Sequence, residues 1–331
     1  MKLQLASSNM VRRVAIGVAA LALVFAATAY ADDYPSRPVK IVVPFAAGGP
    51  ADIYARFLAQ RLQQSLKQPF VIEDQPGAGS IIGTEAVAKS APDGYTLLLM
   101  SNTHTVNESL FSRKPFALMR DFTPIAPINY SDLVLVVKPS LPVKSVADLI
   151  KLAKAKPGTL NYASSGPGTP YHMAGELFKA MAGVDIQHIP YKGSSGARND
   201  LLGGQVDMMF DAVPTMAGFA EAGKVRALAT TGQKRSDVLP NVPTMAEAGV
   251  PGYDAVIWLG LMAPRGTPAA ITGKLNAEIA AIVADPAVRQ AWAKQGAAPM
   301  TMSIAEFNQY LEDDIAKWAK VVKISGAKVD E

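Results

Sequence analysis

Cysteine is absent from all 331 residues. That excludes disulfide staples, thiolate metal ligands and a lipid tether carried on an N-terminal cysteine. Histidine is scarce, with only His104, His172 and His188. None stands in an H-E-x-x-H arrangement or beside a carboxylate at ligand spacing, so no metal centre is expected. The chain has no G-x-S-x-G elbow for a nucleophilic serine, and neither G-x-G-x-x-G nor the P-loop pattern for a nucleotide. Beyond residue 31 no apolar run is long enough to cross a bilayer. Clustered Lys and Arg are also missing, which argues against a nucleic-acid footprint.

The formal charge of +4 misleads, because Lys2, Arg12 and Arg13 supply three of the 32 basic residues within the first 31 positions. No acid accompanies them, so the rest of the chain carries 29 basic against 28 acidic residues. Those three cations precede an apolar core, Val14 to Ala27, and Ala29-Tyr30-Ala31 ends the stretch in the small-x-small pattern that signal peptidase cuts. Residues 1–31 therefore read as a signal peptide cleaved after Ala31, and the mature protein is expected in the periplasm. With 49% hydrophobic residues, about 300 mature residues suffice for two cores of ordinary domain size.

Short β-rich apolar runs alternate with amphipathic helical segments, the pattern of an α/β fold with mainly parallel strands. Val39–Pro44 reads as a buried strand. Tyr54, Leu58, Leu62 and Leu66 recur every four residues and predict a helix from about Pro50 to Leu66. The same strand, Gly-rich loop and helix recur in the second half, around Leu160–Ala163 and Tyr171–Ala182. Helices beginning near Pro268, Pro286 and Ser303 come too late to extend the middle region economically. The chain is thus expected to leave a first lobe near Tyr130 and return near Pro251. Residues 32–131 and 252–331 would form lobe 1 and residues 132–251 lobe 2, with a cleft between lobes joined by crossover hinge strands.

Two loops could carry chemistry. Pro44-Phe45-Ala46-Ala47-Gly48-Gly49-Pro50-Ala51-Asp52 lies at the carboxyl end of a buried strand, where open α/β sheets bind ligands. Its glycines permit close backbone approach, Pro50 suits the first helical position, and the helix dipole favours an anion there. Asp52 could cap its own helix or receive an ammonium or hydroxyl. Ser164-Ser165-Gly166-Pro167-Gly168-Thr169-Pro170-Tyr171-His172 repeats the logic, with Ser165 and Thr169 as hydroxyl donors. These are also ordinary turn formers, and a lone His172 more often serves structure than a ligand. Ser101 and Thr103 after a strand, Ser80 before a helix, Tyr191 before Ser194 (read as an N-cap) and Asp211 at a strand end complete the candidates.

In these residues the chain resembles the Bug receptors, the extracytoplasmic solute-binding components of tripartite tricarboxylate transporters. The similarity runs from Tyr34 to the C-terminal helix, through Arg37-Pro38-Val39, Gly48-Gly49-Pro50-Ala51-Asp52, Gln75-Pro76-Gly77-Ala78-Gly79, Pro92-Asp93-Gly94-Tyr95, Pro190-Tyr191-Lys192-Gly193 and Leu239-Pro240-Asn241-Val242-Pro243-Thr244. The resemblance implies a two-lobed, hinge-closing binding fold of Venus-flytrap type, without catalysis or cofactor. It implies a small carboxylate ligand (a dicarboxylate, amino acid or aromatic acid) and delivery to inner-membrane permease subunits. Carried over residue by residue, it places ligand contacts at Phe45, Ala47, Gly48, Gly49 and Asp52, at Ser165, Gly166, Thr169 and His172, and at Tyr191 and Asp211. Ser80 stands where glycine is frequent, and Pro167 and Pro170 remove N–H donors from the second loop. A monomer is expected. The competing reading is a secreted α/β hydrolase or lyase using His172 with Asp52 or Asp211.

Overall fold

The computed structural model describes residues 34–327; the cleavage site expected after Ala31 lies outside them. Lobe 1 opens with β1 (Val39–Val43), α1 (Pro50–Leu66), β2 (Phe70–Asp74), a 3-10 turn (Ala78–Ser80), α2 (Ile81–Ala88), β3 (Thr96–Ser101), α3 (Asn102–Leu110) and α4 (Leu118–Asp121). The long strand β4 (Phe122–Val137) then leads into lobe 2. That lobe contains α5 (Val146–Ala155), β5 (Asn161–Ser164), α6 (Pro170–Ala182), β6 (Gln187–Pro190), α7 (Ser194–Leu202), β7 (Met208–Ala212), α8 (Val213–Glu221) and β8 (Arg226–Thr230). β9 (Val256–Pro264), α9 (Ala269–Ala284), α10 (Pro286–Ala293), β10 (Ala297–Pro299) and α11 (Ile304–Ser325) complete the chain.

The sheets are mixed rather than mainly parallel. β1 pairs parallel with β2 and β3, and β5 pairs parallel with β6 and β7. Every antiparallel pairing among the described strands involves β4 or β9. These two strands run between the lobes and must oppose the βα units they join. β4 pairs with β9 up to Asp132 and changes to β7 and β8 from Leu133. Its first half contains Pro124 and Pro127, which cannot donate to a ladder. Register shifts at Pro124/Ala126 and Pro127/Asn129 accommodate them, since bulges tolerate a residue that cannot donate to the ladder.

Period-two alternation distributes the strand side chains between two faces. In lobe 1, Ile41, Val43, Leu97 and Leu99 pack beneath α1, α9 and α10, whereas Val42, Leu98 and Met100 meet α2 and α11. In lobe 2, Leu133, Leu135 and Phe210 face α5 and α6, and Val134, Val136 and Met209 face α7 and α8. Both sheets are therefore covered on both sides, and the loops at their strand ends are left free to meet. The C-terminal helix joins the lobes: Trp318 of α11 packs with Val106 of α3 and Met173 of α6.

Candidate ligand site between the lobes

Four helix N-termini converge on one small cavity of about 30 Å³. Gly49, Pro50 and Ala51 begin α1, Ser101 caps α3, Pro170 and Tyr171 begin α6, and Gly193 and Ser194 begin α7. Phe45, Ala46, Ser165, Ile257 and Leu259 complete the lining, and no charged side chain belongs to it. Phe45 and Ser165 also line a neighbouring cavity of about 420 Å³, together with Gly79, Ser80, Gly166, Thr169, Tyr191 and Lys192. The lobes touch here: Ser195 Oγ donates to the Ala47 carbonyl at 3.5 Å.

The four helix ends differ in one respect that matters. Ser101 accepts the Thr103 N–H and Thr169 accepts the His172 N–H, so α3 and α6 are capped by their own side chains. α1 begins at Gly49 and α7 at Gly193 with no side-chain cap. The first-turn amides of those two helices have no intrahelical acceptor. One uncapped helix start therefore comes from each lobe, and each concentrates a partial positive charge facing the cleft.

Several expected site residues are spent on building the loops. Asp52 accepts the Gly48 N–H at 2.8 Å and pairs with Arg56 at 2.6 Å, so it holds the first loop and does not line either cavity. Gly48, at φ +77°, is exposed, as is Ala47, and its N–H is committed to Asp52. Thr103 is fully buried and hydrogen-bonds Ser101 within the α3 cap. Thr169 donates to the Gly166 carbonyl at 2.7 Å while capping α6. Asp211 is fully buried against Arg198 at 2.9 Å and away from both linings. Tyr191 donates to Asp200 and presents its ring to the larger cavity. Ser194 is the first residue of α7, and Gly193 occupies the N-cap.

His172 accepts the Gly168 N–H on Nδ1 at 3.1 Å and stacks on His188 with ring centroids 4.1 Å apart. Burial lowers His172 to about 4, and burial with the neighbouring imidazole lowers His188 to about 3. His104 behaves alike: it accepts the Ser101 N–H, its other nitrogen lies 3.0 Å from the Thr84 hydroxyl, and burial lowers it to about 4. Phe45 packs edge-on against this ring. All three imidazoles are thus neutral near pH 7 and serve the loops behind the cavity. A hydrolytic constellation of His172 with Asp52 or Asp211 is not assembled. Among the described residues, no group of three or more potential metal ligands occurs.

The stretch from Tyr191 to Gly196, expected to line the cleft, brings its Gly193–Ser194 helix start to the cavity, whereas Tyr171 is a lining residue that spacing did not single out. Tyr171 is 4% exposed, and its hydroxyl is buried without a hydrogen-bond partner. A larger cavity of about 660 Å³ lies near the sheet switch, lined by Asp132, Gly232, Asp254, Val256 and Tyr310. It occupies the other face of the crossover: Val256 faces it, whereas Ile257 and Leu259 face the helix starts. Asp132 there is raised to about 6 by burial and by the charge of Asp254. That cavity contains no helix start from the Gly-rich loops.

A two-lobed α/β body with helix starts from both lobes on an interior cavity defines a solute-binding protein. Residues 54–327 match the Tripartite tricarboxylate transporter family receptor, and the chain belongs to that family. It is 42% identical to Protein BugT of Bordetella pertussis over 97% of this chain and 99% of that protein. Among solved structures, R. palustris Rpa4515 with adipate is 40% identical with a TM-score of 0.86, covering 89% of this chain and 99% of the other. MatC from Rhodopseudomonas palustris with bound malate is 33% identical with a TM-score of 0.83, covering 87% and 100%. The periplasmic binding protein BugD is 35% identical with a TM-score of 0.83, covering 89% and 99%.

Proposed function

We propose that this protein is a periplasmic receptor that holds a small carboxylate between its lobes and presents it to the integral subunits of a tripartite permease. The observation that carries this reading is the pair of uncapped helix starts, α1 from lobe 1 and α7 from lobe 2, at one cavity without charged lining. A carboxylate is a small planar acceptor that backbone amides bind well. Hydrogen bonds to a charged group contribute about 1.5–3 kcal/mol each, and each helix end adds about 0.3–1 kcal/mol. Four or five such contacts offset an association cost of ~4 kcal/mol or more and reach micromolar affinity, about −8 kcal/mol. A ligand that touches both lobes only when they meet shifts the population toward closure.

The larger neighbouring cavity, which shares Phe45 and Ser165 with the first, is where the ligand body would extend. The relatives that hold adipate and malate support a carboxylate ligand, and BugD's description as a periplasmic binding protein supports the compartment. The receptor acts by binding and release, without turnover. Calorimetry on the mature protein should show heat with one or more of adipate, malate, succinate and benzoate, and none with the matching neutral amides. Equal affinity for an acid and its amide would overturn the anion-grip reading.

A further inference from the structure

Tyr171 is the second residue of α6, placed where Pro170 starts the helix and aims the following side chain at the cleft. It is more than nine-tenths buried, lines the cavity onto which the four helix starts converge, and its hydroxyl meets no hydrogen-bond partner. The Ser194 side chain, also on the cavity wall, interacts with the phenol but stands outside hydrogen-bond geometry, so it does not satisfy the hydroxyl. Buried hydroxyls are almost always paired, because leaving one unpaired forfeits its hydration without compensation. An unpaired hydroxyl on a residue of the cavity wall is therefore placed to meet an acceptor that enters the cavity.

We infer that Tyr171 determines ligand specificity: its hydroxyl donates to an oxygen of the ligand's inner head group, and the cavity admits oxyanion heads that carry no ammonium beside them. Three observations support both halves. Burial, and next the negative Asp211, push the phenol well above its ordinary range, so it stays protonated and acts as a donor. The nearest carboxylates are committed elsewhere, Asp52 to Gly48 and Arg56 and Asp211 to Arg198. Neither cavity wall includes any Asp or Glu that could receive an ammonium. An α-amino acid would have to bury an unpaired cation there, which is costly. This rests on the carboxylate reading above and narrows it to acids without an α-ammonium.

The test compares wild type with Tyr171→Phe, using calorimetry with adipate, malate, succinate, benzoate, L-2-aminoadipate and L-aspartate, and thermal melts without ligand. The wild type should bind at least one of the four ammonium-free acids and discriminate against the amino acids. Tyr171→Phe should weaken the acid about tenfold to a hundredfold, the loss expected for one buried hydrogen bond to a charged group. Its melting temperature without ligand should be unchanged or higher, because the substitution removes an unpaired buried group. A purely structural tyrosine would instead lower the melting temperature and leave affinity in place. Unchanged acid affinity in a folded Tyr171→Phe, or amino acids bound as tightly as the acids, would overturn this inference alone. Failure of the wild type to bind any acid would overturn the proposed function as well.

Discussion

Gly193→Ala is expected to lower affinity for the acid ligand at least about tenfold, or ~1.4 kcal/mol, while both lobes stay folded. Gly193 has φ 154° and ψ 163°, a backbone region that is essentially restricted to glycine, where other residues incur on the order of 1–3 kcal/mol of strain. A methyl group there would also stand 2.6 Å from Cβ of Ala46, which belongs to the other lobe. The strain burdens lobe 2 in every conformation, but the collision exists only when the lobes meet. The substitution therefore selects against the closed arrangement, and calorimetry should read it as lost affinity with retained circular dichroism, while the strain alone lowers the melting temperature by a few degrees. Unchanged affinity would show that the two loops need not approach each other to hold a ligand.

Gly175→Ala should destabilise lobe 2 by about 1–3 kcal/mol, the range typical of overpacking in a core. Helix propensity argues the opposite, since alanine in a helix interior is favoured over glycine by about 1 kcal/mol. Sterics decide the sign. A Cβ on Gly175 would overlap the Tyr162 ring, and that ring is pinned on several sides. Its hydroxyl donates to Glu176 at 2.6 Å, and its face stacks on His188 at 4.9 Å. Denaturant melts should show the loss, and Tyr162→Leu in the same chain should recover part of it by making room. A neutral or stabilising Gly175→Ala would mean that the ring moves aside easily, and that the Tyr162–His188–His172 stack is not the rigid floor beneath the second loop.

Some of the architecture was readable in advance because the physics is local. The four-residue spacing of Tyr54, Leu58 and Leu62 marks α1, and all three side chains are buried in the lobe 1 core. The strand, Gly-rich loop and helix succession exposes both principal loops, since Gly48 and Gly166 have positive φ and the prolines at positions 50 and 170 begin helices. Other features depend on partners distant in sequence. Pro124 and Pro127 argue against a strand until β9 supplies the bulged register that tolerates them. Asn102–Leu110 has a polar pattern that does not announce a helix, yet α3 is buried beside α11 by tertiary contacts.

The roles of individual polar residues were harder to read for a related reason. Asp52, Thr169 and His172 belong to types that bind ligands, but the same atoms can satisfy the loop's own N–H groups, and here they do. Which outcome holds depends on backbone direction to within a fraction of a turn, and spacing alone does not encode it. Tyr171 fails in the opposite sense. At the start of an amphipathic helix it looks like one more core aromatic, and only the unpaired hydroxyl on a cavity wall distinguishes it.

The lack of native cysteine allows a direct look at closure, because Gln64→Cys on α1 and Glu221→Cys on α8 place one exposed label on each lobe. Single-molecule energy transfer between them, followed while adding whichever acid calorimetry finds to bind, measures whether that ligand brings the halves together. Transfer efficiency should move toward a single high value with the same midpoint as the calorimetric titration. A saturated protein whose efficiency distribution stays where it began would contradict a ligand held jointly by the starts of α1 and α7.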